Sequence, residues 1–175
     1  MNNACLIWCH GSQSQPWGNK SKSLADTASA AGLSMDALDF QDMPNADDRV
    51  TLLVDKVKSI GRPAILAGSS MGGYVACAAS KDANILGLFL LAPAFYLPNY
   101  DRHVFSGLPK NISMVHGWND NVIPVENSIR FSKLHKANLH ILNDDHRLEN
   151  STGIINHLFV HFLKSIASRE TKQDS

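Results

Sequence analysis

The run Gly68-Ser69-Ser70-Met71-Gly72-Gly73 constrains this chain more than any other feature. It follows an apolar, β-prone stretch at 63–67 and precedes a helix-prone one at 74–79. A serine with glycine two positions before and after it, set between a strand and a helix, is the pattern of a nucleophile elbow. The turn is so tight that the serine takes a strained backbone conformation. Small residues at Gly68 and Gly72 keep the strand and helix from colliding. The hydroxyl of Ser70 then stands at the carboxyl edge of a sheet. The amide of Met71, in the first helical turn, points at any oxyanion formed there. The pattern also separates adjacent serines. Ser69 would be flanked by Ala67 and Met71, and a methionine side chain would crowd the turn, so Ser69 is read as structural.

Around the elbow, strand and helix signals alternate. Strands are predicted over 4–9, 33–38, 63–67, 85–91, 112–116 and 139–142, with 33–38 near a sheet edge. Helices are predicted over 22–31, 47–60, 74–79, 125–136 and 151–167. Val50, Leu53, Val54, Val57 and Ile60 recur at helical spacing. So do Ile155, Phe159, Phe162 and Ile166, which are read as core rather than as a cofactor site. Alternation of this kind predicts an α/β three-layer sandwich, a six-stranded parallel sheet covered by helices on both faces. One domain over 1–167 is expected, followed by a frayed polar tail at 168–175.

Bulk properties exclude several function classes. Lys plus Arg and Asp plus Glu both number 16 in the 175 residues, which leaves no footprint for nucleic acid or an anionic membrane. No apolar run approaches a membrane span, and the first residues do not read as a secretory signal. Cys5 and Cys9 lie too far apart on one strand to bridge, and Cys77 falls on a helix. Three free thiols predict a reducing, cytoplasmic setting. Cys9 beside His10 is rejected as a nucleophile because it ends an apolar strand and no elbow surrounds it. The glycines fit neither phosphate-binding pattern, and no H-E-x-x-H or C-x-x-C spacing occurs, so no nucleotide, metal or other cofactor is expected.

A serine hydroxyl needs a base to take its proton and an acid to orient that base. In an open parallel sheet both should lie in loops at the carboxyl ends of later strands. Asp120 is the candidate acid, in His116-Gly117-Trp118-Asn119-Asp120-Asn121-Val122-Ile123-Pro124. Asp101 is the fallback. His146 is the candidate base, between the last strand and the last helix, with neighbouring Asp145 expected to hold its loop. Among the other histidines, His10 and His116 precede glycine at strand ends and read as loop braces. The second oxyanion donor is expected after the first strand, where Gly11 allows close approach and the amide of Ser12 pairs with that of Met71. Trp17, Phe95, Tyr96 and Trp118 are candidate apolar walls, although scaffold packing explains each equally well.

Taken together, the His10-Gly11 loop, the Ser70 elbow, the segment ending at Asp120 and the Asp145-His146 pair resemble the α/β-hydrolase fold superfamily. The chain looks most like its small, lidless bacterial serine hydrolases, among them the YqiA-like esterases. Against the full family pattern the chain lacks the first two strands and has no cap domain between the strands at 85–91 and 112–116, only a loop. The resemblance implies a sheet order of 2-1-3-4-5-6. It also implies carboxylester or thioester hydrolysis through an acyl-serine. Without a cap the site should be a shallow cleft for a small-molecule acyl ester. Rival readings are a thioesterase or amidase with the same residues, or a binding protein that keeps the fold without turnover. The sequence does not choose between a monomer and a homodimer.

Overall fold

The computed structural model describes residues 4–98 and 100–173, with the side chains of 169–173 outside the description. Among the described residues the apolar runs become the strands β1 (Cys5–Cys9), β2 (Met35–Leu38), β3 (Ala64–Ser69), β4 (Ile85–Leu91), β5 (Asn111–Gly117) and β6 (Asn138–Leu142). They form one sheet in the order β2-β1-β3-β4-β5-β6, and every neighbouring pair is parallel. Parallel pairing forces each return of the chain across a face of the sheet. The helices α1 (Asn19–Ala30), α2 (Ala46–Ile60), α3 (Met71–Ala79), α4 (Val125–His135) and α5 (Thr152–Gln173) supply that cover.

The inner strands bury both faces, so each contributes to two cores by alternation, while the edge strands β2 and β6 are only partly covered. Ile7, Leu66, Leu88 and Met114 pack with Val50 and Leu53 of α2, Val75 of α3 and Phe131 of α4. Leu6, Trp8, Ile65, Phe89 and Val115 pack with Leu24 of α1 and Phe159 and Phe162 of α5. Strand β2 lies at the sheet edge, as expected. The chain leaves β1 outward to β2 and then returns to β3 on the other side. Such a reversal opens a crevice above the carboxyl ends of the two central strands, where ligands bind in open α/β sheets.

Helix ends follow local chemistry. The Asn45 side chain accepts the Asp47 N–H at 2.7 Å to start α2, and Gly61, at φ +65°, ends it. Two boundaries differ from expectation in an informative way. Strand β3 continues through Ser69 and α3 begins at Met71, so Ser70 alone makes the turn. Helix α5 does not stop at 167 but continues to Gln173, because the polar residues there are good helix formers. Asp174 and Ser175, and the first three residues read for a signal, lie outside the described residues.

The described residues of the 92–110 segment fold down beside α3 and α4. Tyr74 of α3 stacks near Tyr100 (4.6 Å) and Phe105 (5.9 Å), and its hydroxyl accepts the Arg102 N–H at 3.1 Å. Asn127 of α4 donates to the Phe95 carbonyl at 2.7 Å. No helix among the described residues is long and apolar enough to cross a membrane.

Candidate active site

Ser70 sits at φ 54° and ψ −122°, a conformation that costs a non-glycine residue about 1–3 kcal/mol. The surroundings hold it there. Its N–H donates to Leu91 O at 2.9 Å, and its carbonyl accepts from Ala94 and Gly73, both at 3.0 Å. The flanking glycines serve two different contacts. A Cβ on Gly68 would lie 2.5 Å from the Gly72 oxygen, so that glycine separates strand from helix. A Cβ on Gly72 would overlap the Cys9 carbonyl, so this one lets α3 seat on the end of the neighbouring strand β1.

The acid and the histidine come from the loops after β5 and β6. Asp120 Oδ1 accepts the N–H groups of Val122 (2.9 Å) and Ile123 (2.8 Å), which fixes the carboxylate in its own turn. Asp120 Oδ2 lies 2.7 Å from His146 Nδ1, and His146 Nε2 lies 3.1 Å from Ser70 Oγ. The carboxylate only accepts, so Nδ1 carries the proton and Nε2 is left to accept the serine hydroxyl. The Asp120 side chain is fully buried, whereas that of His146 is 20% exposed. The three residues singled out in the sequence thus form one hydrogen-bonded chain.

A second histidine touches the same carboxylate oxygen. His116 Nε2 lies 3.0 Å from Asp120 Oδ2 and 3.0 Å from Ile123 O, and its Nδ1 lies 2.8 Å from Ser128 Oγ. Burial pushes its pKa down, so the ring is neutral. Its Nε2–H is then shared between the two oxygens, and the Ser128 hydroxyl donates to Nδ1. The sequence suggested a loop brace here and did not reveal the contact with Asp120.

The two loops are stitched together. Trp118 N–H donates to Leu142 O (2.8 Å), Asn119 N–H to Asp144 O (2.9 Å) and the Asn119 amide to Asn143 Oδ1 (3.0 Å). The carboxylate that holds the histidine loop is Asp144 and not Asp145 as expected. Asp144 is buried and accepts from Ser151 Oγ (2.7 Å), the Asp145 N–H (2.8 Å) and Asn150 (3.2 Å). Burial alone would raise its pKa, but these hydrogen bonds outweigh it and hold the carboxyl below the usual range. Asp145 is exposed, and its carboxylate accepts the nearby Arg147 N–H at 2.8 Å.

A cleft of about 650 Å3 opens above Ser70 and His146. Gly11 and Ser12 line it, and a Cβ on Gly11 would lie 3.5 Å from that of Ser70. Met71 heads α3 beside the serine, where the first helical N–H groups have no intrahelical acceptor. The expected apolar walls stand elsewhere. Phe95 is fully buried and stacked on Phe131 at 4.3 Å, drawn into the core between α3 and α4. Tyr96 is half-buried beneath Arg130, at 4.2 Å. Trp17 and Trp118 are exposed, and neither lines the cleft. Its walls instead include Gln13, Asn121, Val122 and Lys20, whose ammonium donates to Ser69 Oγ at 3.4 Å. Burial pushes the Lys20 pKa down. No local pattern in the sequence marks Lys20 as a cleft residue. The fallback acid Asp101 lies beside the Asp47 carboxyl at the start of α2. Burial pushes the Cys9 thiol up to about 12, which leaves it inert as a nucleophile.

No family model matches the chain, and no curated protein matches it in sequence. Solved structures match it over nearly its whole length. A protein assigned to the α/β-hydrolase superfamily from Xanthomonas campestris pv. campestris is 28% identical, with a TM-score of 0.84 over 93% of this chain and 99% of that one. Est1E from Butyrivibrio proteoclasticus, with ferulic acid bound, is 17% identical, with a TM-score of 0.76 over 95% and 90%. An α/β serine hydrolase without a lid from Xanthomonas campestris is 15% identical, with a TM-score of 0.73 over 93% and 81%. With its parallel sheet in the order 2-1-3-4-5-6, the chain belongs to the α/β-hydrolase fold superfamily.

Proposed function

We propose that the protein is a serine hydrolase that cleaves small carboxylic esters through an acyl-serine intermediate. The observation that carries this reading is the continuous relay Asp120–His146–Ser70, at 2.7 and 3.1 Å, ending on a serine held in a strained elbow. Ser70 Oγ attacks the acyl carbonyl as His146 Nε2 takes its proton. Asp120 keeps the imidazole in the correct tautomer and stabilises the imidazolium. The amides of Met71 and Ser12 receive the oxyanion. His146 then protonates the leaving alcohol, and water repeats the sequence to release the acid. The open cleft, with no cap over it to bury a long chain, favours short, soluble acyl groups. Est1E, a fold neighbour, holds ferulic acid, a carboxylic acid of the kind that ester hydrolysis releases. The three free cysteines, Cys9 and Cys77 of them buried, accord with a reducing, cytoplasmic setting.

Labelling with a fluorophosphonate probe tests the assignment. Wild type should label and Ser70→Ala should not; equal labelling of both overturns it. Rates on p-nitrophenyl esters of rising chain length, acyl thioesters and anilides then define the leaving group and acyl size. Removing the nucleophile is expected to cost about 10^6 in kcat.

A further inference from the structure

Helix α2 contributes no residue to the lining of the cleft, yet it carries one fully buried cation, Arg49, 1% exposed. Its Nε donates to Met43 O at 2.6 Å, and its Nη2 to Phe40 O at 3.1 Å. Its Nη1 reaches both His10 O (3.4 Å) and Gly11 O (3.3 Å). The guanidinium also lies 5.3 Å from the centre of the Phe40 ring. Every acceptor is a backbone carbonyl, and among the described residues no carboxylate pairs with the charge. Burying a cation without a counter-ion is unfavourable, and an apolar residue in the same place would avoid that cost.

The geometry of the peptide unit gives the charge a use. His10 and Gly11 have consecutive carbonyls drawn to one guanidinium nitrogen. In a trans peptide the N–H points opposite to the C=O of the same unit. The carbonyls of residues 10 and 11 therefore send the N–H groups of Gly11 and Ser12 away from Arg49. A Cβ on Gly11 would lie 3.5 Å from both the Ser69 carbonyl oxygen and the Ser70 Cβ, so this loop passes directly beside Ser70. Two successive N–H groups turned to one side form an anion-binding concavity. Gly11 O is further held by His10 Nδ1–H at 2.7 Å and Ser14 Oγ at 3.3 Å, so three donors fix this one peptide. The Phe40 N–H donates to His10 Nε2 at 2.9 Å, which sets the tautomer that makes Nδ1 the donor. A cation on the carbonyl side also polarises the peptide and strengthens its N–H as a donor.

We infer that Arg49 is a positioning residue for the oxyanion hole: from behind the β1 loop it fixes and polarises the Gly11–Ser12 peptide whose N–H faces Ser70. The inference rests on the proposed acyl transfer at Ser70. Its test compares an oxyester with the matched thionoester, whose developing charge sits on sulfur and gains little from N–H donors. Wild type should favour the oxyester. Arg49→Met should lower kcat for the oxyester by about a hundredfold, the effect of removing one oxyanion donor, while KM moves less than threefold and the thionoester rate holds. Arg49→Lys keeps a cation but cannot reach four carbonyls, and should lower the oxyester/thionoester ratio about tenfold. Near-ultraviolet circular dichroism identifies the folded material on which the ratio is read. If Arg49→Met does not fold, Arg49→Lys carries the test. An unchanged ratio in folded Arg49→Lys, or a parallel fall on both esters, overturns the inference. Wild type inactive on both esters would instead overturn the hydrolase reading.

Discussion

On the acid–base side of Ser70, the buried carboxylate of Asp144 is satisfied by donors from its own loop, at positions 145, 150 and 151. On the oxyanion side, the buried guanidinium of Arg49 is satisfied by carbonyls at positions 10, 11, 40 and 43, up to 39 residues away. Among the described residues neither charge forms a salt bridge, and both hold a loop beside the Ser70 cleft. They differ in when their partners exist. The Asp144 network closes within the short segment 144–151. The Arg49 network exists only once β1, the segment after β2, and α2 have assembled. Ser70 stands where the two meet, since Gly72 seats α3 on the end of β1 and the Ser70 N–H bonds to the end of β4.

The comparison can be broken most severely at the relay itself. Asp120→Asn should lower kcat/KM by about 10^4 through the wrong imidazole tautomer, with the melting temperature changing little by comparison. Steady-state kinetics with a thermal melt would check it. Next is the joint between the flanks. Gly72→Ala drives a methyl into the Cys9 carbonyl and should destabilise the fold by about 4 kcal/mol, read by urea unfolding.

Asp144→Asn should cost about 1–3 kcal/mol at pH 7, because donors aimed at a carboxylate then meet an amide. This deficit must be pH-dependent. The folded carboxyl titrates below its unfolded value of about 3.9, so its contribution is complete above that value and is lost as pH falls through the lower, folded pKa. The gap between wild type and Asp144→Asn should therefore close in acid. The deficit of Arg49→Lys should not change over the same window, since neither side chain titrates there. If both gaps close together, the contrast between the two flanks is wrong.

Smaller still is the release of strain. Ser70→Gly should be more stable than Ser70→Ala by about 1–2 kcal/mol, because only glycine is at ease at φ 54°. Last, Asp145→Asn should shift stability by less than about 0.5 kcal/mol, as the hydrogen bond its carboxylate makes lies in an exposed turn.

What could be read in advance follows the same division. The elbow announced itself because its demands are local: a strand, one strained residue, glycines at fixed offsets and a helix. The turn that aims Asp120 was readable because its carboxylate binds N–H groups two and three residues ahead. The sheet order was available through resemblance, and alternating apolar runs fixed the strand number. The exchange of Asp145 for Asp144 shows the limit. Two adjacent acids look alike in a string, and which one turns inward is decided by where the donors stand, with Ser151, Asn150 and the Asp145 N–H all meeting the Asp144 carboxylate.

The aromatic residues show the same limit on a larger scale. Phe95 and Tyr96 follow β4 closely enough to suggest cleft walls, yet helices α3 and α4 offered Phe95 a better apolar site. By itself, then, the order of residues determined the strand–helix rhythm, the elbow at Ser70 and the chain order of the residues hydrogen-bonded to it, because these are set by neighbours along the backbone. Only the folded molecule decided which charges are buried, which walls face the cleft and which side chain stands behind the loop after β1. Those depend on where surfaces far apart in the chain run out of water and must satisfy one another.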